Sequence, residues 1–373
     1  MRIGIDFHQA QRPGNGNCSY SRGLVEALLK IDQENEYFLY VTDTGLLYFD
    51  KFKNVSNAHL RLVPVKWSVF RDYIIGIKTR SDDLDIFHSQ YIAPPFFSGQ
   101  LVLMIHDISY EHFPNYFSKI EWLRNKILIT RSIKKYARII TVSEFSKNDL
   151  VQTYGINPQK IAVTYNGLGN SFRVLEKTDQ HLKIFKKFGI GGKYILFVGR
   201  IDARKNLSGL IKSFIILKNF YKIPHQLVIA GGKSFLPREI RRQLDLDKVN
   251  YKNEIIFTGY LPEEELPVFY NYADVFVYPS LYEGFGLPVL EAMACGCPVV
   301  ASNVASIPEV LGEAGILVTP TDIDELATAI YRVISDNNLR RQLSQAGLAR
   351  AALFSWEKTA TETLKIYREV VNE

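Results

Sequence analysis

Short apolar runs recur along the chain, separated by longer polar or helix-periodic segments. In the first half they are Arg2 to Asp6, Tyr37 to Val41, Leu60 to Val63, Ile86 to His88, Leu101 to His106, Arg138 to Val142 and Ile161 to Tyr165. In the second half they are Tyr194 to Val198, Gln226 to Ala230, Glu254 to Thr258, Asp274 to Tyr278, Pro298 to Ala301 and Ile316 to Val318. Runs this short, rich in Val, Ile, Phe and Tyr, predict buried strands. Between them lie helical patterns, such as the stripe of Leu24, Val25, Leu28 and Leu29. Strand alternating with helix predicts an α/β fold with mostly parallel sheets, in which ligands bind beyond the carboxyl ends of strands. The turn-forming segment Asn166-Gly167-Leu168-Gly169-Asn170, followed by a charged stretch through Lys187, predicts a domain boundary near Gly169. The chain then divides into residues 1–169 and 170–355, with a final helix over 356–373 opened by Ser355 as its N-cap. No short-period repeat or low-complexity tract interrupts this rhythm.

The most informative stretch runs from Ala273 to Ala301. Pro279 closes the strand Asp274 to Tyr278, and a loop carries Glu283-Gly284-Phe285-Gly286. Two glycines around one Phe let backbone amides approach a ligand. Pro288 suits the first turn of a helix, Glu291 lies on that helix eight residues after Glu283, and Gly296 is placed to end it. A helix N-terminus attracts phosphate, and ionised carboxylates accept hydrogen bonds from hydroxyls. A ligand with both phosphates and many hydroxyls is a sugar nucleotide.

Other strand ends carry chemistry as well. Gly199-Arg200-Ile201-Asp202-Ala203-Arg204-Lys205-Asn206 follows the strand Tyr194 to Val198. Arg grips phosphate oxygens bidentately and Lys adds a point charge, so Arg200 and Lys205 read as a phosphate clamp rather than a solvated turn. His106-Asp107 ends the run Leu101 to His106, where a ligand is expected, and reads as functional; His88 reads as structural. Gly14 and Gly16 follow the first strand, as in a phosphate-binding βα unit, but too late for a dinucleotide fingerprint. A flexible turn and a phosphate or acceptor contact are both open for them. Glu263, Glu264 and Glu265 complement a helix dipole and are assigned no chemistry.

Length and composition narrow the class. At 373 residues, 47% hydrophobic and 23% charged, the chain fits two globular domains. A net charge of +6 is modest and suits anionic ligands or an anionic membrane surface as well as nucleic acid; with a sugar nucleotide as the ligand, no nucleic-acid partner is expected. Cys18, Cys295 and Cys297 have no zinc or disulfide spacing, so a reducing cytoplasm is expected. The opening Met1 to Gln9 enters a strand pattern directly, with no signal-peptide pattern, and no apolar run reaches membrane-spanning length. Two stretches could rest on lipid from the cytoplasmic side. Arg61 to Arg80 has five basic residues and one acid, interleaved with Trp67, Phe70, Tyr73, Ile74 and Ile75; Lys119 to Arg138 has seven basic residues and one acid on a predicted helix. A solvated helix face is the plainer reading of both.

Together these residues resemble the retaining glycosyltransferases of family 4, with the GT-B fold, over essentially the whole chain. The resemblance rests on Gly14-Asn15-Gly16, His106-Asp107, Val142-Ser143-Glu144-Phe145-Ser146, Tyr165-Asn166-Gly167, Gly199-Arg200 with Lys205, Gly231-Gly232, Tyr272-Ala273-Asp274, and Glu283 through Pro288 to Glu291. It implies two Rossmann-like domains facing across a cleft. The N-terminal one would bind the acceptor, the C-terminal one the nucleotide sugar, and the last helix would cross back onto the first. By position, Gly199, Arg200 and Lys205 would hold the diphosphate and Glu283 the hydroxyls of the transferred sugar. Gly284, Phe285, Gly286 and Leu287 would contact sugar and phosphate, Glu291 the ribose, and Leu261 the base. His106 and Asp107 would lie on the acceptor side, His106 near the reacting sugar, with Gly14 and Gly16 near phosphate or acceptor. Asn17-Cys18-Ser19-Tyr20 departs from the Ile-Gly-Arg-Tyr of many relatives and removes a basic side chain there.

The resemblance also implies transfer with retention, without a metal or other cofactor, catalysed by His106, Glu283, Arg200 and Lys205. Phe354-Ser355-Trp356-Glu357 is similar to bacterial mannosyltransferases, which points to GDP-mannose as donor and a saccharide or polyprenyl-linked acceptor in cell-surface polysaccharide synthesis. The alternatives are a UDP-sugar donor, a nucleotide-sugar epimerase, and a non-catalytic sugar-nucleotide-binding protein.

Overall fold

A computed structural model describes residues 1–12, 14–43, 45, 47–65, 68–97, 99–135, 138–232 and 254–373. Lys66 and Trp67, in the first of the basic stretches, lie outside these. The chain forms two compact units, Met1–Gly169 with Ser355–Glu373, and Asn170–Phe354.

The first unit holds a parallel sheet of seven strands: β1 (Arg2–Asp6), β2 (Glu36–Val41), β3 (Ala58–Leu62), β4 (Ile86–Gln90), β5 (Gln100–Met104), β6 (Arg138–Thr141) and β7 (Ile161–Val163), in the order β3-β2-β1-β4-β5-β6-β7. Ile3 of β1 sits opposite Tyr37 of β2 on one side and Ile86 of β4 on the other. Right-handed crossovers running outward in both directions from β1 place connecting segments on both faces of the sheet. Such strands are buried on both sides and read as continuous apolar runs. Leu103, Ile105, Ile129, Ile133, Ile139 and Ile161 form one core cluster, and Phe38, Tyr40, Val63, Ile75, Phe87 and Leu101 another.

The final helix, Trp356–Asn372, belongs to this unit. Ser355 Oγ accepts from the amide of Lys358 and caps it. Its apolar stripe, with Ala360, Leu364, Tyr367 and Val370 buried, faces inward. Lys30 on the helix Gly16–Ile31 pairs with Glu357 at 2.8 Å, Thr359 donates to the Tyr165 carbonyl at 2.6 Å, and Tyr367 meets His88 Nδ1 at 2.6 Å. His88 is buried between the hydroxyls of Tyr367 and Tyr20.

The second unit has a parallel sheet of six strands: β8 (Tyr194–Val198), β9 (Gln226–Ala230), β10 (Ile255–Gly259), β11 (Val275–Tyr278), β12 (Val299–Ser302) and β13 (Ile316–Val318), in the order β10-β9-β8-β11-β12-β13. Ile195, Leu196, Phe197, Val275, Phe276 and Val277 at its centre are fully buried. Both units therefore show the doubly wound plan, with strand order reversing at β1 in one and at β8 in the other. Glu263, Glu264 and Glu265 lie in the turn that precedes the helix Leu266–Tyr272.

The first basic stretch is a strand and a helix rather than one amphipathic face. Arg61 lies on β3 and pairs with Asp82 at 2.8 Å. On the helix Ser68–Ser81, Arg71 is buried against Asp72 at 2.7 Å, and Lys78 donates to the Leu62 carbonyl. These cations are engaged within the protein, which removes them as a lipid-facing cluster. The second stretch forms the helix Lys119–Lys135, as its periodicity predicts. Among the described residues no helix is long and apolar enough to cross a membrane.

Candidate functional site

In the second unit the strand order reverses between β8 and β11, and the crevice at such a switch point is where α/β sheets bind ligands. The loops leaving these two strands are tied together. Leu281 donates its amide to the Arg204 carbonyl at 2.7 Å, and Ser280 Oγ reaches the same carbonyl at 3.1 Å. Asp202 opens a short turn by accepting from the Arg204 amide, and Asn206 caps the helix Leu207–Asn219 with its side chain on the Gly209 amide. Lys205 is thereby held between two fixed turns.

Lys205 and Glu283, from the two loops, meet in an ion pair whose side chains are only 12% and 13% exposed. Glu283 Oε1 also accepts from Ser280 Oγ at 2.5 Å and from Tyr278 OH at 3.0 Å. The Tyr278 hydroxyl in turn accepts from Lys205 Nζ at 2.7 Å. Burial, reinforced by the neighbouring Glu283, pushes the Tyr278 phenol well above its ordinary value, so it stays protonated and donates to the carboxylate. Three donors thus converge on one oxygen of Glu283, and Oε2 takes no hydrogen bond among the described residues. The main chain here is anchored too, because Ser306 Oγ donates to the Glu283 carbonyl at 3.0 Å.

Behind this pair the backbone is arranged for close approach. Gly286 takes φ +97°, where a side chain is strained, and opens the helix Leu287–Ala294 with no side-chain cap on its first turn. Phe285 is buried, its ring edge-on to Phe354 at 5.9 Å, which fixes the loop from below. Gly231, at the end of β9, packs so tightly on the Gly199 carbonyl that a Cβ would collide with it. Leu261, beyond β10, is buried.

Glu291 stands apart from the ion pair. It is half-buried and accepts from Tyr270 OH at 2.9 Å; burial, with Glu263 adding to it against the Tyr270 hydrogen bond, raises its carboxyl to about 7. Arg200 differs from Lys205: its side chain is 71% exposed, 3.6 Å from Asp202. Of the two expected cations, only Lys205 is brought to Glu283.

In the first unit His106 is buried past the end of β5. Gln90 gives its amide N–H to Ser21 Oγ at 2.8 Å, so its carbonyl oxygen faces His106 Nε2 at 3.2 Å and the imidazole carries its proton there. Tyr20 stands edge-on to the ring at 4.7 Å. Burial lowers His106 to about 3, so it is neutral at physiological pH. Asp107 does not pair with it: its carboxylate accepts from the Ser109 amide at 3.0 Å and shapes the next turn. Gly14 and Gly16 lie where the helix Gly16–Ile31 begins, with Asn15 between them as the cap, accepting from the Cys18 amide at 2.8 Å.

Sequence reasoning missed Tyr278 and Ser280; the only trace of them is two hydroxyls five and three residues ahead of Glu283. It also missed a buried cluster after β1, where Asp6 meets His8 Nδ1 at 2.6 Å near the Arg71–Asp72 pair. Burial works against an ionised Asp6, but the His8 contact and Arg71 outweigh it and hold the carboxyl below its usual range. Among the described residues no three His, Cys, Asp or Glu side chains form a metal-ligating group.

Comparison with known proteins places the chain. Residues 180–350 match the family described as Glycosyl transferases group 1, and residues 35–169 match Glycosyltransferase Family 4. O-antigen chain mannosyltransferase B of Escherichia coli is 32% identical over 284 residues, covering 76% of this chain and 74% of that protein. O-antigen chain mannosyltransferase RfbU of Salmonella typhimurium is 27% identical over 344 residues, covering 88% and 90%. The sucrose-phosphate synthase of Thermosynechococcus elongatus superposes with a TM-score of 0.77 at 23% identity, covering 99% of this chain and 98% of that one, a likeness of fold. The chain belongs to the family 4 glycosyltransferases, enzymes of the GT-B fold, and resembles the bacterial mannosyltransferases among them.

Proposed function

We propose that this glycosyltransferase moves mannose from GDP-mannose, with retention, onto a saccharide or polyprenyl-linked saccharide in cell-surface polysaccharide synthesis. The observation that carries the reading is the Lys205–Glu283 pair at the β8/β11 switch point, next to an uncapped helix N-terminus. One cation, one carboxylate with a free oxygen and a set of amides match a diphosphate joined to a sugar. Mannose as the cargo is supported by two relatives named as O-antigen chain mannosyltransferases.

In this reading Lys205 and the amides of Phe285, Gly286 and Leu287 hold the diphosphate, with Gly199 allowing close approach and Arg200 swinging in from solvent. Glu283 Oε2 accepts from sugar hydroxyls, Glu291 from the ribose, and Leu261 flanks the base. The C1–O bond to phosphate breaks as the acceptor oxygen bonds to C1 on the same face. The acceptor's proton passes to the departing phosphate oxygen. Lys205 stabilises the charge that develops there, the role for which preorganised electrostatics is worth most, so no metal is required. His106 and Asp107, with Gly14 and Gly16, serve the acceptor side, His106 as a neutral hydrogen-bonding group. A thermal-shift panel of GDP-, UDP- and ADP-sugars, followed by transfer assays with the stabilising donor, tests this. GDP-mannose is expected to stabilise most, EDTA to leave turnover unchanged, and NMR to find the donor's anomeric configuration in the product. Preference for a UDP-sugar, inversion, or a strict metal requirement each overturns the corresponding part.

We further propose a cytoplasmic enzyme resting on the membrane surface through the helix Lys119–Lys135. It leaves Ile120 82%, Leu123 51% and Ile127 42% exposed, at helical spacing, with Lys119, Lys126, Arg131 and Lys134 also exposed. Apolar residues flanked by cations suit an anionic bilayer. Flotation with vesicles containing anionic lipid is expected to carry the protein upward, and Leu123→Asp to weaken that about tenfold, since a buried Leu contributes roughly 1.5–3 kcal/mol. Equal flotation with purely zwitterionic vesicles overturns the proposal.

A further inference from the structure

We infer that Tyr278 and Ser280 are positioning residues that hold Glu283 by one oxygen, so that only its other oxygen meets the sugar. This rests on the reading of Glu283 as the carboxylate that binds the transferred sugar. A glutamate side chain has three rotatable bonds, and one in a glycine-flanked loop would otherwise sample many orientations. Here both hydroxyls and the Lys205 ammonium converge on Oε1. A carboxylate held so by one oxygen presents the second in a fixed direction, which is what orientation of a reacting sugar requires.

The two hydroxyls are themselves held firmly. Tyr278 is fully buried, its ring stacked on Phe276 at 5.7 Å and on Phe197 at 6.1 Å, both residues of the sheet. Ser280 is fully buried, and of the three acceptors around its Oγ, the Arg204 carbonyl at 3.1 Å, the Tyr282 carbonyl at 3.4 Å and Glu283 Oε1 at 2.5 Å, its single proton goes to the nearest, the carboxylate. Their roles differ in one respect. Tyr278 OH touches both Lys205 and Glu283 and couples the expected phosphate group to the expected sugar group, whereas Ser280 touches Glu283 but not Lys205.

The difference makes the inference testable by a double-variant cycle in the full chain. Tyr278→Phe and Ser280→Ala each remove one oxygen. Each is expected to lower kcat about 10- to 100-fold, the scale of lost positioning. Ser280→Ala is expected to leave the calorimetric Kd for GDP within about twofold, and Tyr278→Phe to weaken it through Lys205. In a Glu283→Ala background Ser280→Ala is expected to lower kcat no further, because a residue that acts through Glu283 has nothing left to position, and Tyr278→Phe is expected to keep only its effect on the GDP Kd, which runs through Lys205. Effects of Ser280→Ala and Tyr278→Phe on kcat that multiply with that of Glu283→Ala overturn the inference and leave the role of Glu283 standing. Unchanged turnover in Glu283→Ala alone overturns that role, and the inference with it. Thermal melts of all variants identify any loss due to misfolding, and the two independent single-oxygen deletions keep the cycle decisive if one of them fails to fold.

Discussion

Glu283→Ala is expected to lower kcat by at least about 10³-fold while leaving a folded protein. The change removes the free Oε2 that is proposed to accept from the sugar, and it also leaves Lys205 without its counter-charge. Loss of one preorganised electrostatic contact to a transition state costs about 10²–10³-fold, and loss of sugar orientation adds to it. Folding is expected to survive, because Lys205 keeps the Tyr278 hydroxyl at 2.7 Å and is 12% exposed, within reach of water. Glu283→Gln separates the two causes. The amide keeps the size and an acceptor oxygen but not the charge, so a smaller loss, about 10²-fold, is expected from it. Initial rates of sugar transfer, paired with thermal melts, check both. Turnover at the wild-type level in Glu283→Ala would remove Glu283 from the chemistry.

That residue also shows what sequence can and cannot reveal. The strand to Tyr278, the turn at Pro279 and the helix behind Pro288 were legible because parallel strands are buried on both faces and because Pro and Gly punctuate the chain. Edges moved by a residue or two where a polar residue opens the strand: Asp274 lies just ahead of β11, engaged by His225 at 2.9 Å and Arg340 at 2.7 Å. What could not be read is which hydroxyls and cations meet. Lys205 and Glu283 are 78 positions apart and come together only because β8 and β11 are neighbours in the sheet. Arg200 and Lys205 look alike as a basic turn, yet the Asp202 cap orders the turn so that one stays in solvent and the other is enclosed. Arg71 fails a charge-run reading for a similar reason. Its carboxylate partner is the next residue, and both are buried near Asp6, which no periodicity signals. Asn15 was hidden between two glycines that read equally as a flexible turn or as a phosphate or acceptor contact, although an Asn followed by a helical stripe is a capping signal.

Lys205→Ala is expected to weaken GDP binding about 10- to 100-fold, with a further loss in kcat. A hydrogen bond to a charged group contributes roughly 1.5–3 kcal/mol, and about 1.4 kcal/mol corresponds to tenfold in Kd. The structure makes this a cleaner measurement than it is for most buried ion pairs. Breaking such a pair from one side leaves an uncompensated charge that can cost about 3–5 kcal/mol in stability. Here Glu283 keeps two hydrogen bonds, from Ser280 and Tyr278, and 13% of its side chain stays exposed, so the cost is expected to fall well below that range. Arg200→Ala provides the contrast. With 71% of its side chain in solvent and Asp202 3.6 Å away, Arg200 would have to swing in to reach the proposed diphosphate, and its loss is expected to weaken GDP binding less than the loss of Lys205. Calorimetric titration of GDP into wild type and both variants ranks them. Equal affinity in wild type and Lys205→Ala would mean that the ammonium neutralises Glu283 alone and the diphosphate is held by backbone amides. The reversed ranking would mean that the exposed guanidinium is the principal clamp and Lys205 serves the carboxylate.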